Sequence, residues 1–219
     1  LDSKTISREV KRRIWTLLEE VGFDTFTTRT AWRHGADGVD VFNVQSFSKY
    51  NADVLGITPH SFRVNLGWFP TYIPPRWPPK VKDGKLLPDE AGCLIRGMLL
   101  PTMSSPSSIA HVWAIDAEGK NLSWAIQDVV NQLSKALQWY GILGNRSEVL
   151  RILQHDNESF DRFWGFGSNP SPVRSYSAGY AALALGDTEA ARKHLQDAVD
   201  SKCFVHLFSS VEGALARAI

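Results

Sequence analysis

Two segments with different hydrophobic periods set the strongest limit on what this chain can fold into. In SFRVNLGW (61–68) Phe62, Val64, Leu66 and Trp68 alternate with Ser61, Arg63, Asn65 and Gly67. That period of two belongs to a strand with one buried face. In residues 121–140 Leu122, Ile126, Val129, Val130, Leu133, Leu137 and Tyr140 recur at helical spacing, the pattern of a long amphipathic helix. A chain that changes period once, with strands before and helices after, predicts an α+β fold rather than alternating βαβ units.

The rest of the chain fits around these two anchors. Ile6, Val10, Ile14, Leu17, Leu18 and Val21 predict a helix over 3–21, with Ser3 as N-cap and Gly22 as its stop. Phe26, Thr28, Thr30 and Trp32 predict a strand, the turn HGADG (34–38) follows, and VDVFNVQSF (39–47) predicts a second strand. The apolar parity of that strand shifts between Val41 and Phe42, which marks a bulge or burial on both faces. CLIRGMLL (93–100) reads as a buried strand and HVWAID (111–116) as a short last one. The expected fold is an antiparallel sheet of four to five strands with an N-terminal helix and a long helix packed on it. This α+β domain spans 1–141, and an all-helical extension follows over 142–219.

Within the extension, Ser171-Pro172 is a good N-cap and N1 pair, and Gly186-Asp187 joins two helices at about 172–185 and 188–201. Gly179, Ala182, Gly186, Ala191, Leu195 and Ala198 place small or apolar residues where two antiparallel helices approach closely. The segment 172–201 resembles a single tetratricopeptide-type hairpin. GFGSNPSP (165–172) reads as a flexible loop between helices.

Charge and cysteine content narrow the function classes. Lys and Arg total 24 against 23 Asp and Glu, a net charge of +1, so no global field recruits nucleic acid or anionic lipid. Lys11-Arg12-Arg13 is a local basic run, read as a solvated helix face. Two cysteines, Cys93 and Cys203, are too few for a disulfide scaffold. No apolar run reaches the roughly 18 residues of a membrane span, and LDSKTISREV has no apolar signal core. A cytoplasmic protein is expected.

Catalytic patterns are absent from the sequence: there is no GxSxG, HExxH, GxxxxGK[ST] or GxGxxG. Asp37/Asp40 and Asp53/His60 could hold a proton but have no nucleophile beside them in sequence. Arg63 and Asn65 share the polar face of the 61–67 strand, while Phe62 and Trp68 alternate away from them, which disfavours a base-stacking sheet. Cys203 and His206, with His194 upstream, supply one close pair where a structural zinc site needs two. Neither a metal nor an organic cofactor is expected.

The segment 69–92 carries Pro70, Pro74, Pro75, Pro78, Pro79 and Pro88. A loop this long is either functional or disordered. Pro75-Arg76-Trp77-Pro78-Pro79-Lys80 matches the PxxPx[KR] pattern of a polyproline II ligand. Tryptophan, tyrosine and arginine dominate binding hot spots, so Tyr72, Arg76 and Trp77 are the candidate partner-binding residues. Arg96 interrupts an apolar strand, and with His111 it is the candidate polar group of a pocket between the sheet and helix 121–140.

FNVQSF (42–47), FRVNLGWF (62–69), CLIRGMLL (93–100), VWAID (112–116) and ALQWYG (136–141), after an N-terminal amphipathic helix, resemble the bacterial domain of unknown function 4304. The similarity covers about residues 3–141, and the tetratricopeptide-like end lies outside it. The family often carries a histidine where this chain has Leu94, so a role for that histidine does not transfer. The resemblance implies the α+β fold and leans toward immunity or partner-binding proteins of bacterial conflict systems. The function expected is a non-enzymatic protein-binding module, an immunity or adaptor protein. The alternative is an enzyme built on the Arg96/His111 pocket.

Overall fold

The computed structural model describes residues 3–102, 111–155 and 163–218. It is α+β, with a five-stranded antiparallel sheet and helices at both ends of the chain. The sheet order is β1 (Thr25–Phe26), β2 (Thr30–His34), β3 (Gly38–Ser46), β4 (Phe62–Pro70) and β7 (Ile95–Leu99). A separate two-stranded ribbon, β5 (Lys80–Lys82) with β6 (Lys85–Leu87), turns at Asp83-Gly84. Both turn residues have positive φ, 51° and 76°, the geometry that Asp-Gly supplies to a two-residue hairpin. Among the described residues no helix is long and apolar enough to cross a membrane.

By contact the chain divides into two compact units that are not consecutive in sequence. One holds Leu1–His34, Asp40–Gly67 and Gly97–Gln138; the other holds Gly35–Val39, Trp68–Arg96 and Trp139–Ile219. This differs from a division at residue 141, because the proline-rich segment groups with the C-terminal helices.

In the first unit α1 (Ser3–Val10), a π-helical turn (Lys11–Trp15) and α2 (Thr16–Glu20) run on as one helix. Its apolar stripe, Ile6, Val10, Ile14 and Leu18, is buried. Gly22, at φ 91°, ends the helix as its sequence position requires. The N-cap expected at Ser3 lies at the edge of the described residues. The predicted strand at 26–32 is instead a tight hairpin of β1 and β2. Thr27 Oγ1 accepts from the N–H of Thr30 and donates to the Thr30 carbonyl, closing a turn inside the β-branched run. In β3 Val41 and Phe42 are both fully buried, so the parity shift reflects burial on both faces at that point.

Strand β4 departs from its predicted half-polar character. All of its residues but Arg63 are buried, and Asn65 donates to Asn43 Oδ1 and Gln45 Oε1 on β3. A buried amide keeps an alternating pattern only when another amide satisfies it. HVWAID contributes one isolated bridge, Trp113 to Phe62, rather than a strand. The 121–140 helix breaks into α4 (Leu122–Asn131) and α5 (Leu133–Leu143) at Gln132. There the Gln132 side chain donates to the Leu100 carbonyl. Asp128 of α4 is buried and accepts from Trp113 Nε1 at 2.9 Å and from the Thr102 N–H and hydroxyl.

In the second unit α6 (Arg146–Gln154), α7 (Pro172–Ala184), α8 (Thr188–Asp200) and α9 (Val211–Leu215) follow one another. Ser171 caps α7 with Pro172 in its first turn, and Asp187 caps α8. Residues 165–171 form a loop before α7, held in part by its own contacts. Phe166 is buried, and Ser171 Oγ donates to its carbonyl.

Candidate partner-binding site

Strand β4 carries the chain to Pro70, where a residue without an N–H can leave the ladder. The four prolines of IPPRWPPK fix their φ angles and remove four backbone donors, so only their carbonyls can anchor the segment. Those anchors exist. Tyr176 Oη of α7 donates to the Pro74 carbonyl at 2.7 Å, and Arg217 Nη2 donates to the Pro75 carbonyl at 3.5 Å. Burial pushes the Tyr176 phenol up, and Arg217 and then Arg76 partly offset it.

Trp77 sits beyond these anchors with 72 % of its surface exposed. Its ring stacks on His206, with centroids 5.5 Å apart and planes at 16°. Below it lies a groove of about 240 Å³ floored by Phe69, Ile73, Pro74 and Leu94 and walled by Tyr176 and Ser177, with Arg76 and Trp77 at the rim. The hairpin β5–β6, which follows Trp77 in sequence, exposes Lys80, Lys82 and Val81.

Arg76 and Trp77 therefore share a surface, but Tyr72 does not join them. Its ring is buried, packed at 6.2 Å on Trp68 and covered by the Arg146 guanidinium at 4.9 Å. Arg146 in turn pairs with Asp37 at 2.5 Å and donates to the Ala184 carbonyl. Tyr72 continues the inward-facing parity of β4 beyond its last residue, and that places its ring inside. Burial, and then the Asp37 carboxylate, push its phenol up, and its hydroxyl has no hydrogen-bond partner among the described residues.

Arg96 and His111 fall in different compact units. Arg96 Nε donates to Glu90 Oε1 at 2.6 Å, and its guanidinium lies 3.9 Å over the Trp164 ring. Backbone bonds between Arg96 and Trp164 complete the clamp. A cation with a fixed carboxylate and an aromatic face is a structural joint. His111 is half-buried, and burial, then the nearby Arg63, hold its imidazole below the usual range. Asp37 and Asp40 are each engaged by an arginine, Asp40 by Arg33 Nε at 2.7 Å. Cys203 is exposed, and His194 bonds the Gln154 amide.

Among the described residues that line it, the groove has no carboxylate, imidazole or thiol. Among the described residues no three His, Cys, Asp or Glu side chains converge as metal ligands would. Its volume is below the roughly 300–1,000 Å³ of small-molecule sites and suits one or two side chains. Tyr176 and Arg217, which hold the segment in place, lie 100 and more residues away in sequence, beyond any local motif. No protein-family model, no curated protein and no solved structure matches this chain.

Proposed function

We propose that the protein is a non-enzymatic binding module of the immunity or adaptor kind. It takes an extended segment of a protein partner, seating an apolar side chain of that segment in the 240 Å³ groove under Trp77. The exposure of Trp77 on a proline frame braced by Tyr176 and Arg217 is the observation that carries this reading. A tryptophan held rigidly in water loses little entropy on binding and gains a large buried area. Arg76, Lys80 and Lys82 make an acidic flank the complementary choice for the segment. The resemblance of residues 3–141 to domain of unknown function 4304 leans the same way.

The test is selection of displayed random peptides on immobilised protein, followed by affinity measurement with Trp77→Ala and Arg76→Ala. The wild type is expected to enrich peptides with an aromatic or leucine anchor beside Asp or Glu. Trp77→Ala is expected to weaken the best peptide by at least about tenfold, the loss typical of a hot-spot residue. Equal affinity of wild type and Trp77→Ala would remove the groove from the function.

A further inference from the structure

The basic run at the N-terminus does not behave as one solvated face. Arg12 pairs with Glu9 at 2.7 Å, and Arg13 bonds Ser123 and Gln127 of α4. Lys11 does neither. It lines, with Lys4 and Arg8, an open groove of about 800 Å³ in the first compact unit. All three are exposed, and among the described residues none of them is paired with a carboxylate. Among the described residues, none that lines the groove is acidic.

The three cations stand one per turn, about 6 Å and then about 4.5 Å apart along the axis at the rise of a helix. The opposite wall is the β1–β2 turn at Thr27 and Thr28, and Trp15 and Phe26 form an aromatic floor. The two walls are locked together: Trp15 Nε1 donates to the Thr27 carbonyl at 2.9 Å, and the Trp15 and Phe26 rings lie 6.0 Å apart. Arg29, the next residue of that turn, has Nη1 buried without a hydrogen-bond partner among the described residues. The turn of helix from Lys11 to Trp15 is π-helical, a device that re-aims side chains at functional sites.

We propose that this groove binds single-stranded nucleic acid. A row of unpaired cations at near-regular spacing complements a chain that repeats one negative charge per unit. Phe26, half-exposed beside Thr28, offers an edge to an unstacked base. A duplex keeps its bases internally stacked and leaves that aromatic floor unused. An acidic peptide matches the cations but brings no ring to Phe26. The site lies apart in sequence from the Trp77 groove and does not depend on the protein-binding reading.

The test uses the full chain and a fluorescent twelve-nucleotide oligo-dT or oligo-U, with an equal-length duplex and a glutamate decapeptide as competitors. Binding is expected to weaken with salt at a log–log slope of about −2, the value for three phosphate contacts on a single strand. Lys4→Ser/Arg8→Ser/Lys11→Ser is expected to lose about tenfold or more in affinity and most of that slope. Lys49→Ser/Lys135→Ser/Lys193→Ser removes the same charge at exposed positions outside both grooves and is expected to retain both. Lys4→Arg/Lys11→Arg is expected to retain binding, which separates charge from any change in folding. No saturable binding by the wild type at 50 mM salt, tighter binding of duplex or peptide, or equal loss in the two triple variants overturns the proposal.

Discussion

Arg174 is the residue whose role is least evident from its neighbours in sequence and most demanding in the structure. It is 2 % exposed and donates to the carbonyls of Gly167, Ile152, Leu153 and His155, with its guanidinium 4.5 Å over the Phe166 ring. Three of those carbonyls belong to the last turn of α6 and the residue that caps it, where helical partners run out and a cation is favoured. Arg174→Met keeps the stem but leaves the carbonyls unsatisfied, and at about 1–3 kcal/mol for each buried orphan it is expected to cost at least about 3 kcal/mol in urea unfolding. Tyr72 gives the opposite expectation. Its hydroxyl is buried with no partner among the described residues, so Tyr72→Phe removes a desolvation penalty and is expected to be neutral or stabilising by about 1 kcal/mol. Tyr176→Phe, by contrast, loses the bond to the Pro74 carbonyl and is expected to destabilise and to loosen the Trp77 segment. In the sequence Tyr72 reads as a partner-binding residue and Arg174 carries no signal, because their surroundings come from Asp37 and Arg146 and from residues 152–155, 166 and 167. The Arg76–Trp77 pair was legible because four local prolines announce it.

At the scale of elements, the parts that were legible are those whose signals are local. The hairpin of α7 and α8 is one: its caps, Ser171 and Asp187, and its turn glycine lie in the sequence that forms it. The closest approach is at Gly179, where an added Cβ would stand 2.7 Å from Leu195 Cγ and 3.3 Å from the Ala191 carbonyl. Gly179→Ala is therefore expected to destabilise by about 1–3 kcal/mol despite its better helix propensity. Leu195→Val in the same chain is expected to recover part of that loss, and a double-mutant cycle by urea unfolding measures the coupling. Strand β4 was legible as a strand but not in its burial, because Asn65 reads as a solvent residue until Asn43 and Gln45 are placed opposite it. Helix 121–140 was legible as helix but not in its break, which depends on Gln132 reaching the Leu100 carbonyl. The β1–β2 hairpin was missed because a run of threonines has strand propensity throughout, while the bonds of Thr27 to Thr30, through its hydroxyl and its N–H, make the turn.

At the scale of the whole molecule, the response to pH follows from where the buried phenols lie. Tyr72, Tyr176 and Tyr180 all belong to the second compact unit, and burial is the first cause of a raised pKa in each. Below about pH 10 these groups are neutral in both folded and unfolded chains and have no effect on the balance. Above it, the unfolded chain ionises them while the folded chain holds its protons. The unfolded state then binds fewer protons, so the slope of stability against pH is negative and the folded state weakens as pH rises. Each such site contributes about 1.4 kcal/mol per pH unit while only the unfolded form is ionised, or about 4 kcal/mol for three. Against a typical domain stability of about 5–15 kcal/mol, stability is expected to fall as pH rises above 10 and alkaline unfolding to be cooperative. It is read as a falling urea midpoint together with a late, steep rise in tyrosinate absorbance. Tyr72→Phe removes one such site and leaves the folded packing intact, so it should flatten the slope. A midpoint that does not move between pH 9 and 11, with tyrosinate appearing gradually in folded protein, would mean that these phenols are open to solvent. The anchoring bond from Tyr176 to Pro74 would then be a transient contact, and the rigid frame argued for Trp77 would fail with it.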